Sequence, residues 1–161
     1  MATMMLLATI CSAASETSQG QFEIFFLNDT SAGAHRFMQT SLRNLPLADS
    51  PWITTADISA YNWETHEIFL KKESAALMDQ FQDPLFGLDI PFVVVANGER
   101  IYRGQFRSMV SSSICLWAQI FRIEGETPGV RLGLPGVSYS LDLRSDERIR
   151  RCLVEAGLLD E

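Results

Sequence analysis

The sequence is poor in the residues that most often carry chemistry. Three of its 161 residues are cysteine (Cys11, Cys115, Cys152) and two are histidine (His35, His66). No Cys-x-x-Cys occurs, and the cysteines are too few and too scattered for a disulfide framework or a zinc site. A metal site built on the two distant histidines would need carboxylates from several loops, so no metal is assigned. Positive charge is also scarce: 13 Lys and Arg stand against 20 Asp and Glu, giving a formal net charge of -7 and a pI near 4.8. Nucleic acid and anionic membrane call for clustered Lys and Arg, and both are set aside as partners. No apolar run reaches the roughly 20 residues of a membrane-spanning helix. The segment GVRLGLPG, Gly129 to Gly136, lacks the Lys-Ser/Thr end of a phosphate loop. Ser31 and His35 stand one helical turn apart, but no orienting acid is implied and no Ser-His-Asp arrangement follows.

What is present is core. Hydrophobic residues make up 47% of the chain, ten of them phenylalanine, and the length suits one domain. The most informative stretch is IPFVVVANGERIYRGQF, Ile90 to Phe106. Pro91 to Val95 reads as a buried strand, Asn97-Gly98 as a tight hairpin turn, and Arg100 to Phe106 as an alternating return strand.

Along the chain, Met1 to Gln21 opens with MATMMLLATIC and continues into small and polar residues, with Ser12-Ala13-Ala14 as a cleavage site. Two readings stand, an export signal lacking its basic first residues and a frayed N-terminal helix. The first places the protein in the periplasm or outside the cell, the second in the cytoplasm. Phe22 to Leu27 reads as a first strand. A first helix then carries Ala34, Phe37, Met38, Leu42 and Leu45 on one face, starts at Thr30 or Ser31 and ends at Pro46. Trp52 to Ser59 reads as a second strand. Asn62 caps a second helix over about Glu64 to Gln82, with Leu70, Leu77, Met78 and Phe81 on its apolar face. After the hairpin, Ser108 to Phe121 is expected as a third helix and Gly125 to Gly136 as a loop. Ser138 to Leu143 reads as a short extra strand, and Ser145 starts a terminal helix with Asp146 and Glu147 in its first turn. If the chain is exported, Cys115 and Cys152 can pair. The alternative is two independent buried thiols.

In element order, Phe22 to about Phe121 resembles the thioredoxin-like superfamily, with Ile90-Pro91 in the place of that family's cis-proline. The resemblance implies an α/β, three-layer fold with a central mixed sheet over residues 22–124, to which residues 125–161 add a loop and helix packed on the same domain. It also implies a groove between the start of the first helix and the proline, lined here by Thr30, Ser31, Asp89, Ile90 and Pro91. The family's Cys-x-x-Cys is replaced by Ser31-Ala32-Gly33-Ala34, and its buried acid falls near Phe25, so dithiol chemistry is not expected. No cofactor is assigned. Three functions remain open. One is a non-catalytic binding or adaptor module that takes an extended polypeptide at the groove. Another is a glutathione-using enzyme with Ser31 or Thr30 at the cofactor thiol, and the third is a structural subunit of an envelope or secretion assembly.

Overall fold

The structure, a computed structural model, describes residues 20–28, 37, 39–81, 90–107, 117–121, 129–132 and 142–160. Among the described residues nine strands form one sheet: β1 Phe22–Phe26, β2 Ile53–Thr54, β3 Ile58–Asn62, β4 Glu67–Leu70, β5 Ile90–Ala96, β6 Glu99–Arg107, β7 Ala118–Phe121, β8 Gly129–Leu132 and β9 Leu159–Asp160. Their spatial order is β2-β1-β5-β6-β7-β8-β4-β3-β9. The β6–β7 and β3–β9 pairs are parallel and the others antiparallel, so the sheet is mixed. Among the described residues the helical pieces are 3-10 segments at Leu42–Asn44, Lys72–Phe81 and Leu143–Ser145, the α-helical Phe37 and Gln39, and an α-helix, α1, at Glu147–Glu155. The chain is α/β.

The β5–β6 hairpin lies where its sequence places it. Asn97 and Gly98 take left-handed φ of 48° and 79°, the geometry of a two-residue turn whose twist matches the strands. β5 is buried on both sides, which explains its unbroken apolar run. Phe92, Val94 and Ala96 join one cluster with Phe22, Ile24 and Ile120, while Val93 and Val95 join a second with Leu27, Phe37 and Leu45. α1 packs on β1 and β5 and places Ile149, Cys152 and Leu153 in the first cluster.

The sheet curls on itself. β2 and β3 stand seven places apart in the strand order. Laid flat, seven spacings would span roughly 34 Å. Yet only Thr55 to Asp57 separate them in sequence, and four residue steps reach at most about 14 Å. The rings of Phe22 on β1 and Tyr61 on β3 accordingly meet at 6.0 Å across the interior. Asp57 holds the joint: Oδ2 accepts from the Thr54 N–H at 2.9 Å and the Thr54 hydroxyl at 2.7 Å, and Oδ1 accepts from Ser74 Oγ at 2.9 Å.

Several expectations are corrected. The Ile90–Pro91 bond is trans, since the described residues contain no cis peptide. Pro91 needs no reversal here: it lies within β5 opposite Gln105, and pairing with β1 begins one residue later at Phe92. The missing N–H therefore falls at a strand end, where it is tolerated. The expected second helix over 64–82 divides into β4 and the 3-10 segment. Ile68 on β4 pairs with Tyr61 on β3, both fully buried, and that cross-strand burial outweighs the helical spacing of Leu70, Leu77 and Met78. The expected second strand breaks at the Thr55–Asp57 turn. The end of the expected third helix, Ala118–Phe121, is β7, and Gly129–Leu132 of the expected loop is β8, paired with β7 and β4. A strand–helix–strand crossover between the first two strands would make them parallel. Instead β2 runs antiparallel to β1, continuing a bridge between Leu27 and Leu47.

Candidate functional site

Of the groove residues, Thr30, Ser31 and Asp89 lie outside the described residues, as does most of the N-terminal leader. Ile90 and Pro91 are described and half-buried, but they do not share a surface. Successive strand residues point to opposite faces. Ile90 packs against the interior cluster, beside an aromatic group in which Trp52 stacks on Phe26 at 4.6 Å and meets Phe106 edge-on at 5.5 Å. Pro91 has the parity of Val93 and Val95 and lies on the outer face.

That outer face carries a row of polar side chains that pattern reading passed over. Gln105 is directly across from Pro91 on β6 and is paired in turn with Gln119 on β7. Arg103 and Arg107 flank Gln105 with the same parity. The Arg107 guanidinium reaches Gln119 Oε1 at 3.4 Å, and Gln105, Arg107 and Gln119 are all buried. The Arg103 guanidinium lies over the rings of Phe37 at 5.4 Å and Trp117 at 5.5 Å while donating to the Phe37 carbonyl, and burial lowers its pKa. The signal for this row was the run Arg-Gly-Gln-Phe-Arg itself, whose alternate residues are polar in a strand buried on both faces.

A second polar group gathers around His66, which is 3% exposed. His66 ends the β3–β4 turn with φ of 59°. The turn is built by Asn62, whose Oδ1 accepts from the N–H groups of Glu64 at 3.0 Å and Thr65 at 2.9 Å. Asn62 thus does the capping chemistry expected of it, for a turn instead of a helix. His66 Nδ1 faces the Tyr61 hydroxyl at 3.1 Å, and Nε2 faces Ser145 Oγ at 3.4 Å and Asp142 Oδ2 at 4.0 Å. Serine and acid address the same nitrogen, which is not the arrangement of a nucleophile–base–acid relay. Asp142 is engaged by Arg144, whose Nη2 donates to Oδ2 at 2.6 Å. Burial, then the Arg144 charge, holds the His66 pKa below its ordinary value against the opposing pull of Asp142.

Cys152 is a free thiol, buried against the sheet, and burial pushes its pKa up to about 11. Cys115, the partner weighed for it, lies outside the described residues. Among the described residues no group of three or more His, Cys, Asp or Glu side chains could hold a metal ion, and no helix is long and apolar enough to cross a membrane. No protein-family model, no curated protein and no solved structure matches this chain.

Proposed function

We propose that the chain is a non-catalytic binding module that takes an extended polypeptide segment on the outer face beside Pro91, and that the segment carries carboxylate side chains. The observation behind this reading is the row Arg103, Gln105, Arg107 and Gln119, guanidinium and amide groups at strand spacing next to the aromatic pair Phe37 and Trp117; Gln105, Arg107 and Gln119 are buried, so the segment has to displace the contacts that now cover them. An extended peptide repeats its side chains with the same period, so alternate acidic residues would meet successive donors. Guanidinium groups suit carboxylates because their fork of N–H donors matches two oxygens. In a net acidic protein, a buried basic row also selects its partner by charge.

The thioredoxin-like resemblance enters here in narrower form. It rests on β1, β5 and β6, adjacent in that order with Pro91 as the second residue of β5. Export from the cell is proposed on the apolar N-terminal run alone and is checked by sequencing the mature N-terminus.

The binding reading is tested with an extended peptide of alternating glutamate and valine and with its glutamine counterpart, following Trp117 fluorescence. Binding of the glutamate peptide is expected to weaken with salt and to exceed that of the glutamine peptide by about tenfold, the equivalent of one charge-assisted contact. Equal binding of the two, or none of either, overturns the reading.

A further inference from the structure

We propose that His66 is an acid-sensitive latch, whose protonation undocks the Leu143–Ser145 turn from the β3–β4 turn. The ring is the joint between two parts of the chain distant in sequence. On one side Tyr61 of β3 holds Nδ1, and on the other Ser145, with Asp142 behind it, meets Nε2. The Trp63 and Tyr61 rings meet it edge-on at 5.7 Å and 6.2 Å, and the residue is 3% exposed.

The charged and titratable neighbours decide what a proton does. From the C-terminal segment come Asp142 and Arg144. Among the described residues Asp142 is the carboxylate that reaches the ring, but Arg144 donates to both its oxygens and takes up its charge. From the strands come two phenols, Tyr61 and Tyr102 of β6, both neutral and raised above their ordinary range, chiefly by burial. On the turn itself, Glu67 accepts from the Thr65 hydroxyl at 2.9 Å. An imidazolium here would therefore be enclosed, with a guanidinium in its field and its nearest anion already shared. Hydration is the remaining way to stabilise it, and the proposed latch admits water by opening on the Ser145 side. The turn being released is closed within itself: Ser145 N donates to the Asp142 carbonyl at 3.2 Å, Asp146 N to the Leu143 carbonyl at 3.4 Å and Arg144 N to Asp142 Oδ1 at 3.0 Å, so it can move as a unit without breaking these bonds. Leu143 is exposed, whereas α1 stays anchored by Ile149, Cys152 and Leu153. Opening is thus confined to the turn.

The test follows amide hydrogen exchange at residues 143–146 between pH 7.5 and 5.0, corrected for intrinsic rates, alongside NMR titration of the His66 ring, with His35→Gln used to assign it. Protection in the turn is expected to fall about tenfold for each unit by which folding holds the ring's pKa below its unfolded value, with β5 and α1 unchanged. The His66→Asn variant, chosen because asparagine accepts the left-handed backbone, should lose this pH dependence. If that variant does not fold, the wild-type titration decides. A ring that titrates at or above about 6.5, or protection that does not change with pH, overturns the latch.

Discussion

At the scale of single residues, the tightest fit in the sheet is at Gly104. It stands in β6 between Phe92 and Ala118, and a Cβ there would lie 2.2 Å from the Phe92 ring and 2.4 Å from the Ala118 carbonyl oxygen. Gly104→Ala should cost about 2 to 3 kcal/mol in urea unfolding, at the upper end for overpacking, because the backbone oxygen cannot turn aside. Phe92→Leu combined with it should restore only part of the loss. Cys152 makes the opposite case, a reactive group made inert by its surroundings. With its thiol buried and pushed up to about 11, thiol labelling mapped by mass should leave Cys152 unmodified at pH 8 until the protein is unfolded.

At the scale of elements, what sets each segment is the partner that satisfies its backbone. The Leu42–Asn44 turn has no buried residue of its own. It is held from across the molecule, where Arg100 Nη1 donates to the carbonyls of Leu42, Arg43 and Leu45 at 2.9, 2.9 and 2.8 Å. Arg100→Ala should therefore destabilise the fold by about 1.5 to 3 kcal/mol, the range for hydrogen bonds to a charged group, and should speed amide exchange at Asn44. Arg100→Lys should recover part of this, since an ammonium can still reach the carbonyls as a point charge. The β2–β3 turn depends in the same way on Asp57, which joins it to the 3-10 segment through Ser74. The helical spacing in residues 64–82 was a real pattern, but it could not reveal that Tyr61 and Ile68 would bury each other across a hairpin.

At the scale of the whole molecule, folding stability should depend on pH in two steps. His66 has its pKa lowered in the folded state, chiefly by burial, so folding favours the neutral ring. Its contribution is complete above the unfolded value near 6.5 and is lost as pH falls from there through the folded value. The carboxylates act lower. Burial raises Asp57, but hydrogen bonds from Thr54 and Ser74 and the Lys71 charge leave it below its ordinary value. Burial likewise raises Asp142, and bonds from Arg144 outweigh it. Asp146 is lowered mainly by its bond from Arg148. These contributions are present above the unfolded value of 3.8 and disappear as pH falls through the folded ones. Glu23, raised by burial, works weakly in the other direction near 4.5. Thermal melts at spaced pH values should show a first decline below about 6.5 that His66→Asn removes, and a second below about 4 that it leaves in place.

The sequence by itself determined the first strand, the central hairpin with its Asn97-Gly98 turn, and the terminal helix, although Asp146 caps that helix, and Ser145, expected to start it, ends the preceding 3-10 turn. In each the pattern and the punctuation are local: a short apolar run between turn residues, or an acidic cap before a 3.6-residue period. Tertiary structure alone decided the rest. Whether Pro91 is cis or trans depends on where the strand pairing begins. That Gly129–Leu132 forms a strand depends on β7 and β4 lying on either side of it. The joining of β2 to β3 across the strand order, the basic row on the outer face and the enclosure of His66 all bring together residues far apart in the chain. Periodicity reports which face of an element is apolar, but only the curl of the sheet sets which elements meet.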